Sequence, residues 1–156
     1  MPHAAGMWLA FLSTYPAPAG CRRHCLRAYG RIAIIRDAVR PKPLCWMGSS
    51  QSDLARFPQP VMDVIGAALR AAQNGEKHAN AKPLRGFHGA GVLEVISDFD
   101  GNAYRAVYTV RFSDAVYTLH VFQKKSKRGI QTPRRDLALV RQRYKRAEQL
   151  HEQQSD

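Results

Sequence analysis

The stretch VLEVISDFDGNAYRAVYTVRFSDAVYTLHVFQ, residues 92–123, decides the fold. Its apolar residues recur with a period of two, the signature of strands half buried on a pleated sheet. The spacing predicts strands over 92–97, 103–112 and 116–123. Asp100-Gly101 is a two-residue hairpin signal, because that turn needs positive φ at both positions and Asp and Gly tolerate it. Ser113-Asp114 turns the chain again. Connections this short leave no room for a crossover, so the three strands form an antiparallel meander.

Upstream, Pro43-Leu44-Cys45-Trp46-Met47 reads as a short strand ended by Gly48. Ser49, Ser50 and Ser52 offer N-caps for a short helix carrying Leu54 and Phe57. Pro58 and Pro60 break the chain and suit the first turn of a second helix. There Val61, Ile65, Ala68 or Leu69, and Ala72 recur at 3–4-residue spacing, and Asn74-Gly75 closes it. Residues 76–91 read as a loop containing Lys77, Lys82, Arg85, Gly86, Gly89 and Gly91. Downstream, Thr132 is the expected N-cap and Pro133 the first residue of a last helix. Its apolar stripe is Leu137, Val140, Tyr144 and Ala147, with Arg141, Arg143, Lys145 and Arg146 around it. The predicted order is β-α-α-β-β-β-α, an α+β domain with an antiparallel sheet.

The chain has 156 residues, 45% of them hydrophobic, which suits one domain with a real core. No run approaches the roughly 18 consecutive apolar residues of a membrane helix. Three Cys build no disulfide framework. Cys21, His24 and Cys25 lack the second ligand pair of a zinc site. The net charge of +12 points to a polyanion, most simply nucleic acid. Within 124–146, ten basic residues face one acid, Asp136. Residues 1–39 carry Arg-rich sequence without periodicity. The apolar run Met7–Leu12 is shorter than the roughly 7–15 residues of a signal peptide and follows no Lys or Arg. The expected division is 1–39, a poorly ordered extension or a misassigned start at Val39, and 40–156, a domain.

The motifs exclude more than they name. A phosphate-cradling loop follows a strand and opens a helix, whereas the Gly86–Gly91 loop precedes a strand, so nucleotide binding is rejected. The six His show no metal-ligand spacing, and there is no G-x-S-x-G. The informative cluster is Tyr104-Arg105-Ala106-Val107-Tyr108 with Phe122-Gln123-Lys124-Lys125-Ser126-Lys127-Arg128, neighbours in a meander. Arg105 among apolar residues costs desolvation unless an anion or carboxylate meets it, and Glu94 on the preceding strand is a candidate. Two readings stand together: a structural Arg105–Glu94 pair with a solvated Lys tail, or a functional site.

Leu84-Arg85-Gly86-Phe87, Gly91-Val92-Leu93-Glu94, Tyr104–Tyr108, and Leu119-His120-Val121-Phe122-Gln123-Lys124-Lys125-Ser126-Lys127 with Thr132-Pro133 resemble the phage-derived HigB-like branch of the RelE/ParE toxins. The resemblance covers roughly residues 41–150, with its motifs in order; residues 1–39 match nothing in the family. It implies a compact RelE-like fold and the toxin of a type II toxin–antitoxin system. The implied activity is a metal-independent endoribonuclease that cuts mRNA on the ribosome and inhibits translation. Arg105 corresponds to the family's strand arginine and would stabilise the phosphorane. Lys124, with Lys125, matches the basic pair closing the last strand, and Glu94 would act as base or orient Arg105. Catalytic groups vary between members of the family. His120 and Tyr108 stand outside these roles, and His120 reads as a packed strand residue. Lys82, Arg85, Lys125, Lys127, Arg128 and Arg134 are the expected RNA contacts. The expected partners are a helix-turn-helix antitoxin covering Lys124, Lys125 and the last helix, the ribosome and mRNA. No cofactor, metal or membrane enters the reading, and the expected location is cytoplasmic. Two alternatives are a ParE-like inhibitor of a protein target such as DNA gyrase, and an RNA-binding domain without chemistry.

Overall fold

A computed structural model of the chain describes residues 41–124 and 132–155. The expected extension over 1–39 and the basic residues Lys125, Lys127 and Arg128 lie outside the described residues. The elements are β1 (Leu44–Trp46), α1 (Ser50–Leu54), α2 (Gln59–Gln73), β2 (Ala81–Pro83), β3 (Val92–Phe99), β4 (Asn102–Thr109), β5 (Val116–Lys124) and α3 (Arg134–Ser155). The sheet order is β1-β5-β4-β3-β2, antiparallel except for β1, which runs parallel to β5. No helix among the described residues is long and apolar enough to cross a membrane.

The α+β class and the β3-β4-β5 meander follow the sequence reading. Asp100 and Gly101 take φ of +49° and +71°, so the chain reverses in two residues and Phe99 pairs with Asn102. Helix α2 begins after Pro58 and carries Pro60 in its first turn, where no backbone donor is missed. It closes with the Gly75 N–H on the Ala72 carbonyl (3.1 Å) and the Glu76 N–H on the Ala71 carbonyl (2.8 Å). That double bond needs a left-handed residue, and Gly75 has φ +80°.

Three expectations change. The loop over 76–91 contains β2, which pairs antiparallel with β3 through Ala81, Lys82 and Pro83. Three residues with a proline show no period, and a proline is tolerated because β2 is an edge strand. Strand β4 ends at Thr109 rather than 112, where the Val110 N–H turns to the Gly91 carbonyl. Thr132 does not cap α3, which starts at Arg134; its hydroxyl is spent on the sheet instead.

A register shift separates Val107↔His120 from Tyr108↔Thr118, which leaves Leu119 as an extra residue on β5. Such a bulge interrupts strict alternation. Leu119 packs with Tyr117 and Val140 on the α3 side, and His120 bonds to α3 as well. The sheet thus has two cores. On one side α2 buries Val61, Ile65, Leu69 and Ala72 against Val95, Tyr104, Ala106 and Val121. On the other, α3 buries Val140, Tyr144 and Ala147 against Val92, Val107, Tyr117 and Leu119.

Candidate functional site

Arg105 pairs with Ile96 on β3 and with Phe122 on β5. Two residues along from those partners lie Glu94 and Lys124. Because side chains alternate across a strand, Glu94, Arg105 and Lys124 share one sheet face as successive diagonal neighbours. Glu94 sits level with Val107 and Lys124 level with Ala103, so the three form a slanted row across β3, β4 and β5. Lys82, directly opposite Glu94 on β2, extends the row to the sheet edge and is exposed. The row lies on the face that α3 covers.

The inner members are buried: Arg105 is 3% exposed and Lys124 8%. Arg105 Nη1 donates to Glu94 Oε2 at 2.5 Å and to Thr132 Oγ1 at 3.1 Å. The Thr132 hydroxyl donates in turn to Glu94 Oε2 at 3.0 Å. Thr132, just before α3, therefore closes a triangle over the ion pair. A buried pair needs further hydrogen bonds to offset its desolvation, and Thr132 supplies one to each partner, at Nη1 and at Oε2.

A second polar cluster stands beside it. His120 Nε2 meets Asp136 Oδ1 at 3.0 Å, and its Nδ1 meets Arg143 Nη1 at 3.3 Å. A guanidinium only donates, so Nδ1 must be the acceptor and the proton resides on Nε2, facing Asp136. Burial holds the His120 pKa below its usual value, and the Asp136 bond opposes this only in part. The ring stacks on Phe122 at 4.8 Å. With both nitrogens engaged inside the fold, His120 is a tie between β5 and α3 and presents no free nitrogen to a substrate.

Arg143 carries the tie further. Its Nη1 donates to the Leu119 carbonyl at 2.9 Å and its Nη2 to Ser49 Oγ at 3.2 Å. The Ser49 hydroxyl donates to Asp53 Oδ2 at 2.7 Å. A Cβ on Gly48 would stand 2.6 Å from Arg143 Nη2 and displace the guanidinium, and the φ of +58° itself favours glycine. The Tyr108 hydroxyl lies in the opposite core, and burial pushes its pKa up to about 12. Its place in the opposite core sets Tyr108 apart from the Glu94–Arg105–Lys124 row.

The structure places Glu94, Arg105 and Lys124 on one sheet face, adds Lys82 from a strand that the sequence reading had as loop, and leaves Arg85 and Arg134 exposed. It adds Thr132, Asp136 and Arg143, which sequence reasoning missed. Arg143 was one cation among several on a basic helix, and nothing in its spacing set it apart. The only available signal was its place next to Tyr144, on the flank of the buried stripe.

The residues concerned fall inside a stretch with a known counterpart. Residues 52–145 match the family model described as phage derived protein Gp49-like (DUF891). No curated protein and no solved structure matches the chain.

Proposed function

We propose that this chain, which belongs to the phage-derived Gp49-like family of the RelE/HigB-like toxin superfamily, is the toxin of a type II toxin–antitoxin pair. Its activity on this reading is endonucleolytic cleavage of mRNA on the ribosome, silenced by an antitoxin encoded beside it. The observation that carries the reading is the diagonal row Glu94–Arg105–Lys124 on one sheet face.

The chemistry assigns one task to each member. The ribose 2′-OH attacks the adjacent phosphorus while Glu94 accepts its proton. Arg105 stabilises the charge that develops on the phosphorane oxygens. Lys124 returns a proton to the departing 5′-oxygen, leaving a 2′,3′-cyclic phosphate and a free 5′-hydroxyl. In the closed pair Glu94 occupies the site on Arg105 that a phosphate would take. Carboxylate and phosphate both match the guanidinium fork, so substrate exchanges with Glu94 and frees it as a base. Lys82 at the sheet edge marks the side from which RNA approaches.

The test is growth arrest on expression, with RNA 5′ ends mapped in ribosomes for the wild type, Arg105→Ala and Arg105→Lys. Loss of Arg105 should slow cleavage about a hundredfold or more, with incomplete rescue by Lys, which lacks the planar fork. An Arg105→Ala protein that folds and cuts at the wild-type rate overturns the assignment. The burial of the Arg105–Glu94 pair favours one other reading, an RNA-binding domain in which the pair is structural and no cutting occurs. Growth arrest with intact mRNA would favour a protein target such as DNA gyrase.

A further inference from the structure

The outer face of α3 has a composition that the buried row beneath it does not explain. Arg134, Arg141 and Lys145 follow one another at spacings of seven and four and so line one row; Arg135 and Arg146 line the next. All five are exposed, and between them stand exposed Ala138 and Gln142 and half-buried Leu139. At 1.5 Å per residue, Arg134 to Arg146 spans about 18 Å. The carboxylates of the same stretch are turned away. Asp136 is bonded to His120, and Glu148 lies 3.5 Å from Arg111. Over residues 134–148 charge is thus sorted by face, and exposed Glu152 lies beyond them.

The loop before β3 enlarges this surface. The Arg141 guanidinium lies over the Phe87 ring, 5.7 Å from its centroid, and reaches within 3.4 Å of a Cβ placed on Gly86. Exposed Arg85 is next to that glycine. The contact gives Arg141 a preferred position, which lowers the ordering cost of holding an anion there.

We propose that Arg85, Arg134, Arg135, Arg141, Lys145 and Arg146 form a docking face for the phosphate backbone of RNA, distinct from the row under α3. A protein partner is disfavoured by what the face lacks. Protein interfaces have a desolvated core of aromatic and aliphatic side chains, whereas nucleic-acid interfaces are polar and strongly positive. Among the described residues the exposed large hydrophobic is Phe99, at the β3–β4 hairpin and not on α3. The docking face stands whether or not the Arg105 row cuts RNA, because it concerns binding alone.

The test compares two triple variants of the full chain with equal loss of charge. Arg135→Gln/Arg141→Gln/Lys145→Gln alters the proposed face; Arg56→Gln/Arg70→Gln/Lys77→Gln alters exposed cations elsewhere. Binding to a fluorescein-labelled RNA hairpin is measured across a salt series, with circular dichroism to confirm folding. The α3 triple should weaken binding about tenfold or more and lower the salt slope by about 2–3, roughly one released ion per lost phosphate contact. The control triple should change the slope by less than about 1. Equal effects of both triples would mean diffuse attraction and overturn the proposal. So would unchanged RNA binding of the α3 triple combined with lost capture of the co-expressed antitoxin, which would give the face to a protein.

Discussion

The two faces of the sheet are closed by different means. On the α2 side, Ile65, Val61 and Leu69 press on Val95, Ala106 and Val121, and burial of hydrocarbon dominates. On the α3 side, apolar packing around Val140 and Tyr144 is joined by the Arg105–Glu94–Thr132 triangle and the Asp136–His120–Arg143 chain. Apolar packing is non-directional and tolerates exchange among residues of similar volume. Buried charges are directional, costly to desolvate, and often replaceable by hydrocarbon without loss of stability. Stability therefore accounts for the α2 side and fails to account for the α3 side. Charges kept where hydrocarbon would serve support the proposal that the α3 side is the working face.

The largest effect should come from halving the buried pair. Arg105→Ala leaves the largely buried Glu94 without its cation, held by the Thr132 hydroxyl alone, and should cost about 3–5 kcal/mol in denaturant unfolding. Arg105→Leu with Glu94→Leu should recover most of that loss while leaving cleavage abolished. If the double variant stays as unstable as the single one, the contrast between the faces fails. If it folds and still cuts, the pair is structural.

On the other side, Ile65→Ala opens a cavity in a fully buried site and should cost about 2–5 kcal/mol by the same measurement. No ionisable group is altered, so the loss should be the same at pH 7 and pH 5.5. A pH-dependent loss would mean that the two faces are not independent.

His120 should make the α3 side sensitive to acid. Its pKa in the fold is lowered, chiefly by burial, so the unfolded chain takes the proton first as pH falls. The stability it contributes is complete above about pH 6.5, the unfolded value, and is lost as pH falls below it toward the folded value. The slope from one proton is at most about 1.4 kcal/mol per pH unit. His120→Gln, which keeps a donor for Asp136, should flatten the stability profile between pH 7 and 5.5 relative to wild type. Identical profiles would remove His120 as the source.

The smallest expected effect is that of Thr132→Val, which keeps the shape and deletes the hydroxyl that meets both Arg105 and Glu94. A loss of about 1–2 kcal/mol is expected from two partly buried hydrogen bonds. Faster amide exchange at the start of α3 would accompany it, and unchanged exchange there would show that Thr132 does not hold α3 to the sheet.

The meander was readable because its determinants are local. Alternation sets which residues share a face, and a two-residue turn fixes register, so the neighbourhood of Glu94, Arg105 and Lys124 follows from counting. Strand β2 was not readable, since Ala81-Lys82-Pro83 has neither period nor length and exists only because β3 offers an edge. Thr132 misled for a related reason. Thr before Pro is a sound capping signal, and the same hydroxyl went to Glu94 because the fold brought a buried carboxylate within reach.

By itself the sequence determined the α+β class, the antiparallel meander, the basic character and the row of charged residues across β3, β4 and β5. These depend on periodicity, turn chemistry and composition, which are properties of neighbours along the chain. Tertiary structure alone decided that Arg143 is a tie while Arg141 and Lys145 face solvent, that His120 has both nitrogens occupied, and that Arg105 lies buried on the sheet face that carries α3. Those outcomes depend on the rotation of one helix about its axis against a bulged strand far away in sequence. A basic helix reads the same from any side until something packs against it.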